Sequence, residues 1–482
     1  MSSGVVGEEP RLGLDDIQAH VLPGFGHDHQ ILLGWRLPDA EPAPAARSLL
    51  GALADRVTPA SRGLAYRAVR REVRRGRADP VHLKDFSAFA LSLSPRAFEA
   101  LGHPDMARLD EAFSVGMARR SYLRDPPAAG WSVGGPGREI DVLAVLAGDD
   151  LARLREVSDG VRAAGAHCDL VHHQEGRRRP GDTEHFGFRD GISQPMLRGV
   201  VDDEGTPLVH RLPMPPMPDH REYSAPGDVL IWPGQFLFGL PRQSETAPTR
   251  SAPARRAPPL AHNGSLLVYR KLEQDVAAFR SDTARMAAAL GADPDEIRAQ
   301  LVGRHPDGRP LVRPPDATAA ELNHFGYDTA APGIPGGPRG AAPDPDGVRC
   351  PLAAHIRKVN PRDQETDKGP PSATLTFAIM RRGIPYDDDT GRGLLFMCYQ
   401  TDITQQFELL AQRWANNPER PRQGMDNGVD LLIGRVRPGA ERRARLLAGD
   451  VSTLTDYVRP RGGAYLFTPS VSALRLLRRP GA

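Results

Sequence analysis

Cysteine is scarce in this chain. Three cysteines in 482 residues, Cys168, Cys350 and Cys398, are too few and too scattered for a disulfide framework or a thiolate metal cluster, and they fit a reducing compartment. Long apolar runs are also lacking. No uniformly apolar stretch exceeds about ten residues, which excludes a transmembrane helix on sequence grounds. The opening MSSGVVGEEPRLGLDD has neither a basic start followed by an apolar run nor a twin-arginine pattern, so the expected location is cytoplasmic. A surplus of one charge is missing too: 62 Lys and Arg stand against 60 Asp and Glu, and no global field favours nucleic acid or an anionic membrane. Without a strict short-period repeat, solenoids and propellers are excluded.

What is present is an ordinary globular composition, 40% hydrophobic and 25% charged, in a length that admits two or three average domains or one large two-lobed enzyme. Ile31 to Leu37 and Asp85 to Ser94 read as strands, the second leading into SPRAFEALG with Ser94 as helix cap and Pro95 at the first helical position. Glu139 to Gly148 is strand-like. From Asp149 apolar residues recur at helical spacing behind aspartates suited to the positive end of a helix dipole. This succession predicts a ferredoxin-like α+β half.

The second half rhymes with the first. Ser265 to Leu272 is a strand followed by a helix ending near Leu290, ATLTFAIMRR (Ala373 to Arg382) reads as a strand, GLLFMCYQTD as another, and ITQQFELLAQRWANN as an amphipathic helix. Two similar α+β lobes are expected to face one another, residues 1–220 with the GFRDG segment and residues 221–482. Pro213 to Pro218, Thr246 to Pro259 and Ala331 to Asp346 form irregular connections.

Three segments carry chemistry. HIRKVNPR, from His355 and introduced by Cys350-Pro351, offers one imidazole in a basic, proline-bounded peptide, a setting for the axial ligand of an iron porphyrin with Arg357, Lys358 and Arg362 as cations for its carboxylates. GFRDGISQP (Gly187 to Pro195) sets Asp190 among glycines that let backbone approach a flat group closely. MRRGIPY (Met380 to Tyr386) adds two adjacent guanidiniums, of which strand alternation lets only one face the same side as the iron. A carboxylate beside a cation can take a proton from peroxide and hold the charge that develops on the departing oxygen.

In this order the three segments resemble those of the dye-decolourising peroxidases. DIQAHVLPGF, Pro226 to Pro241, Asn263 to Phe279, Gly393 to Asn416 and GGAYLFTPSVSALRLL resemble the same family, nearly end to end, and the length suggests a longer-chain subgroup. The resemblance implies two ferredoxin-like lobes with antiparallel sheets, akin to a dimeric α+β barrel, with haem in the C-terminal lobe. It implies a peroxidase in which hydrogen peroxide oxidises ferric haem to a ferryl porphyrin radical that dyes, phenols or other one-electron donors restore. His355 is then the iron ligand and Asp190 the distal base, with Gly191 and Ile192 beside it. Arg381 rather than Arg382 is the distal arginine, because the family places it first in its R-x-x-x-P-aromatic run. Gly383 stands where some subgroups carry an assisting asparagine.

Cys350 belongs to no Cys-x-x-Cys-His attachment signal, so haem b is expected to be non-covalent. A proximal histidine usually donates its free N–H to a carboxylate, and Asp402 and Glu408 are the candidates. The resemblance further implies electron relay through oxidisable aromatics, for which Tyr386, Tyr399, Trp232, Tyr269 and Trp414 are available. Manganese oxidation, as in some long-chain relatives, would draw on Glu273 and Asp275. An aspartate base with an unperturbed pKa of about 3.9 predicts an optimum on the acid side of neutrality. The competing functions are a haem-binding or trafficking protein without peroxidase turnover and a specialised peroxygenase. A homo-oligomer formed through exposed sheet faces is compatible with each.

Overall fold

The apolar runs of both halves become strands of one nine-stranded antiparallel sheet. In this computed structural model the described residues are 10–479 apart from 85, 201–208, 210, 211, 213–220, 245–249, 252–256, 335, 423 and 425–427. The expected connection Pro213 to Pro218 and most of Thr246 to Pro259 lie outside the described residues. The first half supplies β1 (His29–Arg36), β2 (Ala88–Leu93), β3 (Val142–Gly148) and β4 (Asp169–Arg177). The second supplies β5 (Ser265–Gln274), β6 (Met380–Arg381), β7 (Ile384–Asp388), β8 (Gly391–Gln400) and β9 (Val458–Thr468).

Their order is β6-β8-β5-β9-β2-β3-β1-β4, with β7 also paired to β8. The halves join where Phe467 of β9 stands opposite Leu93 of β2. The far edges then approach each other: the Gln174 side chain on β4 bonds Asp388 of β7 and Lys271 of β5, both at 2.6 Å. A Cβ added to Gly176 would lie 2.5 Å from Ile384, so glycine is what lets β4 come this close to β7. The sheet thus curls towards a barrel, in the α+β architecture expected of two ferredoxin-like lobes.

Strand alternation gives this sheet two different faces. Inside the curl, Leu267 and Tyr269 of β5 pack with Leu395, Met397 and Tyr399 of β8 and with Leu32, Val145 and Leu466. Outside, α1 (Pro42–Leu53) and α2 (Leu151–Ala164) lay Leu49, Leu50, Leu53, Leu154 and Val161 against Ile31, Leu33 and Leu91. Full burial of each such leucine contributes about 1.5–3 kcal/mol. Asp150 caps α2 by accepting the amides of Ala152 and Arg153, and Asp275 caps α3 (Val276–Leu290) through Ala278. Farther along the outer face, Arg270 and Leu272 of β5 and Leu394 and Phe396 of β8 line a cavity.

ATLTFAIMRR is not the predicted strand. Pro371–Phe377 winds in 3-10 turns and only Met380–Arg381 pairs with β8. The cause is local: the hydroxyls of Thr374 and Thr376 donate back to the carbonyls of Pro371 and Ala373, each at 2.7 Å, an alternative to ladder bonding that threonine offers. ITQQFELLAQRWANN is helical as expected, but Thr404–Ala415 is wound as a π-helix, and it turns Phe407, Leu410, Ala411 and Trp414 to the cavity. No helix among the described residues is long and apolar enough to cross a membrane.

Candidate functional site

His355 opens a short helix, α4 (His355–Val359), and faces a cavity of about 390 Å³. Its Nδ1 lies 2.7 Å from Asp430 Oδ2. A carboxylate there can only accept, so Nδ1 donates and Nε2 keeps the lone pair that a metal would use. Asp430 is fully buried, and its Oδ1 accepts the amides of Leu432 and Ile433 at 2.9 and 3.2 Å. Burial pushes the His355 pKa down, but the Asp430 charge and hydrogen bond outweigh it and raise the pKa above its ordinary value.

The expected partners of His355 are engaged elsewhere. Glu408 accepts Arg120 at 2.8 and 2.6 Å and the hydroxyls of Tyr122 and Tyr465 at 2.6 and 2.8 Å. Asp402 accepts the Gln405 amide at 2.9 Å at the start of the π-helix. Asp430 carries no local sequence signal for its role, because the contact joins residues 75 positions apart.

Asp190 and Arg381 line the same cavity, with Arg381 Nη1 donating to Asp190 Oδ1 at 2.9 Å. The Gly191 amide donates to that same oxygen at 2.6 Å, and Gly191 adopts φ 76°, a left-handed conformation that glycine accepts without strain. Burial raises the Asp190 pKa, yet the Arg381 charge, the Gly191 amide and the Arg381 hydrogen bond together hold it below its ordinary value of 3.8. The charges of His355 and Arg381 are felt at Asp190, and those of Asp190 and Arg381 at His355. Gly191 and Ile192 lie on the cavity wall.

The two adjacent arginines part company as strand alternation requires. Arg381 turns to the cavity, whereas Arg382 donates to the carbonyls of His20 and Val21 at the N-terminal segment, at 3.1 and 2.8 Å.

Arg357, expected to face the cofactor, does not line the cavity. Two residues along a helix from His355 it points the opposite way, where it bonds Asp344, the Cys350 carbonyl and Gln364 and lies over the Tyr327 ring. Lys358 bonds the Asn417 carbonyl at 2.7 Å. Arg362 is on the wall, and Arg304, which the sequence did not single out, joins it. Their guanidiniums lie 3.7 and 5.6 Å from the centre of the Phe325 ring and bond only carbonyls and the Asn323 amide oxygen; neither forms an ion pair among the described residues. Burial lowers both pKa values, that of Arg304 to about 10.

The proposed aromatics Tyr269, Tyr386, Tyr399, Trp232 and Trp414 are all buried, and only Trp414 among them lines the cavity. Glu273 and Asp275 are occupied by Arg461 and Arg459, at 2.5 and 2.7 Å. No group of three His, Cys, Asp or Glu side chains able to hold a metal ion occurs among the described residues.

The chain matches the family model of the Dyp-type peroxidase C-terminal region over residues 317–425, a span that includes His355 and Arg381 and stops short of Asp430. It is 28% identical to a dye-decolorizing peroxidase of Mycetinis scorodonius, over 96% of this chain and 87% of that protein. It is 29% identical to a multifunctional dye peroxidase of Amycolatopsis sp., over 77% of this chain and 78% of the relative. The solved structure of a decolorizing peroxidase from Auricularia auricula-judae superposes with a TM-score of 0.75 at 25% identity, covering 97% of this chain and all of the other.

Proposed function

Because the chain belongs to the dye-decolourising peroxidase family and is a peroxidase, we propose that its cavity binds haem b without a covalent link, and that it reduces hydrogen peroxide while oxidising dyes, phenols or other one-electron donors. One observation carries this reading: an imidazole with a free Nε2, backed by a buried carboxylate, shares a cavity with a carboxylate–guanidinium pair.

The residues present suit that group. Val302, Val359, Leu432, Phe188, Leu272 and Phe396, which line the same cavity as His355, are apolar surfaces for a porphyrin. Arg362 and Arg304 bring positive charge without an ion-pair partner among the described residues, which suits its propionates. Haem, when bound, would supply the redox chemistry, delivering two electrons to peroxide and recovering them singly from the donor.

The chain supplies the proton handling. Asp190 Oδ1 is engaged by Arg381 and Gly191, which leaves Oδ2 to take a proton from peroxide and return it to the departing oxygen. The Arg381 guanidinium stabilises negative charge on that oxygen and keeps Asp190 ionised in the resting site. Asp430 orients the His355 ring and makes its Nε2 more electron-donating.

A haem carrier needs His355 and an apolar slot but gains nothing from the Asp190–Arg381 pair. The deciding experiment mixes the haem-loaded protein with one equivalent of hydrogen peroxide in a stopped-flow spectrophotometer, beside an Asp190→Ala/Arg381→Ala double variant. A fast spectral change in the parent and a large loss in the variant are expected. A slow and equal response in both, or bleaching alone, would replace the peroxidase mechanism with simple haem binding at His355.

A further inference from the structure

Arg381 reaches the cavity from the shortest strand of the main sheet. Among the described residues β6 pairs on one side only, Met380 with Tyr399 and Arg381 with Cys398 of β8. The Arg382 amide bonds the Met397 carbonyl at 2.7 Å, and peptide groups alternate in direction along an antiparallel strand. The amide and carbonyl of Arg381 itself therefore turn to the open edge, where a wider sheet would place another strand. A side chain takes that place. Gln194 Oε1 accepts the Arg381 N–H at 3.2 Å, and Gln194 Nε2 donates to the Arg381 carbonyl at 3.3 Å.

A carboxamide offers the same donor and acceptor as a peptide group, so Gln194 stands in for a strand at the residue that carries the distal guanidinium. The same loop receives the other end of Arg381: Nη1 donates to Asp190 and Nη2 to the Ser193 carbonyl, at 2.9 and 3.2 Å. Residues 190–194 thereby grip both the main chain and the side chain of one arginine. Gln194 is itself partly buried on the cavity wall.

We propose that Gln194 is a positioning residue for the peroxide step, holding the Arg381 main chain where its guanidinium meets Asp190. This rests on the roles of Asp190 and Arg381 given above. Methionine at this position matches the length of glutamine but offers no strong donor or acceptor, and asparagine is one methylene too short to reach. In either variant Arg381 is freed to move away from Asp190. The other ionisable groups acting on Asp190 or bonded to its loop are His355, Glu184 and the Arg178–Asp182 pair, none of which the substitution touches.

The test compares Gln194→Met and Gln194→Asn with the parent and with Asp190→Asn, all haem-loaded. Both Gln194 variants are expected to lose up to about 10²-fold in kcat/KM for peroxide, the scale of a misplaced reacting group, with KM for the dye unchanged. The acid limb of the pH profile should move to higher pH. The Asp190 carboxyl pKa, read by difference infrared titration against Asp190→Asn, should rise with it, a change that general loosening of the fold would not produce.

An unmoved Asp190 pKa in variants with the parental haem spectrum and thermal midpoint would overturn the assignment. If one variant is unstable, the other decides. If Asp190→Asn reduces peroxide at the parental rate, the role of Asp190 fails instead, and the infrared titration still judges Gln194 separately.

Discussion

His355 and Asp430 meet directly: the ring nitrogen sits 2.7 Å from a carboxylate with no solvent exposure, and two backbone amides fix that carboxylate from its other oxygen. Asp430→Asn keeps the shape and removes the charge. Loss of such a supporting carboxylate typically costs about 10- to 100-fold in metal affinity or activity. Haem transfer from the loaded variant to an acceptor apoprotein is expected to be faster by that order, and parental transfer kinetics would refute the role.

Asp190→Asn should lower the rate of reaction with peroxide by about 10²- to 10⁴-fold, the usual worth of a positioned acid–base group, while haem binding is retained. Stopped-flow rates paired with a haem titration separate the two effects. A comparable loss of haem affinity would mean that the carboxylate serves the fold instead.

The Asp190–Arg381 pair sets a pH limit whose sign can be worked out. Arg381 and the Gly191 amide hold the Asp190 pKa below 3.8 although burial pushes it up, so the base stays ionised, and activity falls only as pH drops through that depressed value. In Arg381→Leu the burial remains and the opposing charge is gone. The acid limb of kcat/KM for peroxide is expected to move to higher pH, and an unshifted limb would show that another group controls it.

Arg362 lies on the cavity wall without an ion pair among the described residues, and a charge-assisted bond to a propionate contributes about 1.5–3 kcal/mol. The parent should bind haem at least ~10-fold more tightly than haem dimethyl ester, and Arg362→Ala should lose most of that difference. Equal discrimination in both proteins would place the propionates elsewhere.

Three buried histidines predict acid sensitivity of the fold. Burial lowers the pKa of His20 and His172 from 6.5 to about 3 and that of His27 to about 4. The unfolded chain then binds protons that the folded chain refuses, so stability is complete above pH 6.5 and is lost as pH falls below it. Each contributes up to ~2 kcal/mol of loss by about pH 5. A thermal midpoint that falls over this range, less steeply in His172→Gln, is expected; a flat profile would show that these rings protonate in place.

Much of the architecture was legible because it is local. Ser94 before Pro95 and the aspartates before Leu151 stand at helix starts as their spacing indicates, and the apolar runs at Ile31, Val142, Ser265 and Gly393 are strands. ATLTFAIMRR failed because threonine hydroxyls bonded to nearby carbonyls compete with pairing, which an apolar pattern does not register.

The sequence by itself determined the chemistry available: His355, Asp190 and Arg381 stand in short segments whose glycines, prolines and charges restrict what the backbone and side chains can do. Tertiary structure decided which groups meet. It brought Asp430 to His355 across 75 residues and Gln194 to Arg381 across 187, contacts that depend on distant chain segments rather than on local pattern. It also turned Arg357 away from the cavity and brought Arg304 to its wall, because helix phase and burial, not proximity in the chain, select the face on which a charge emerges.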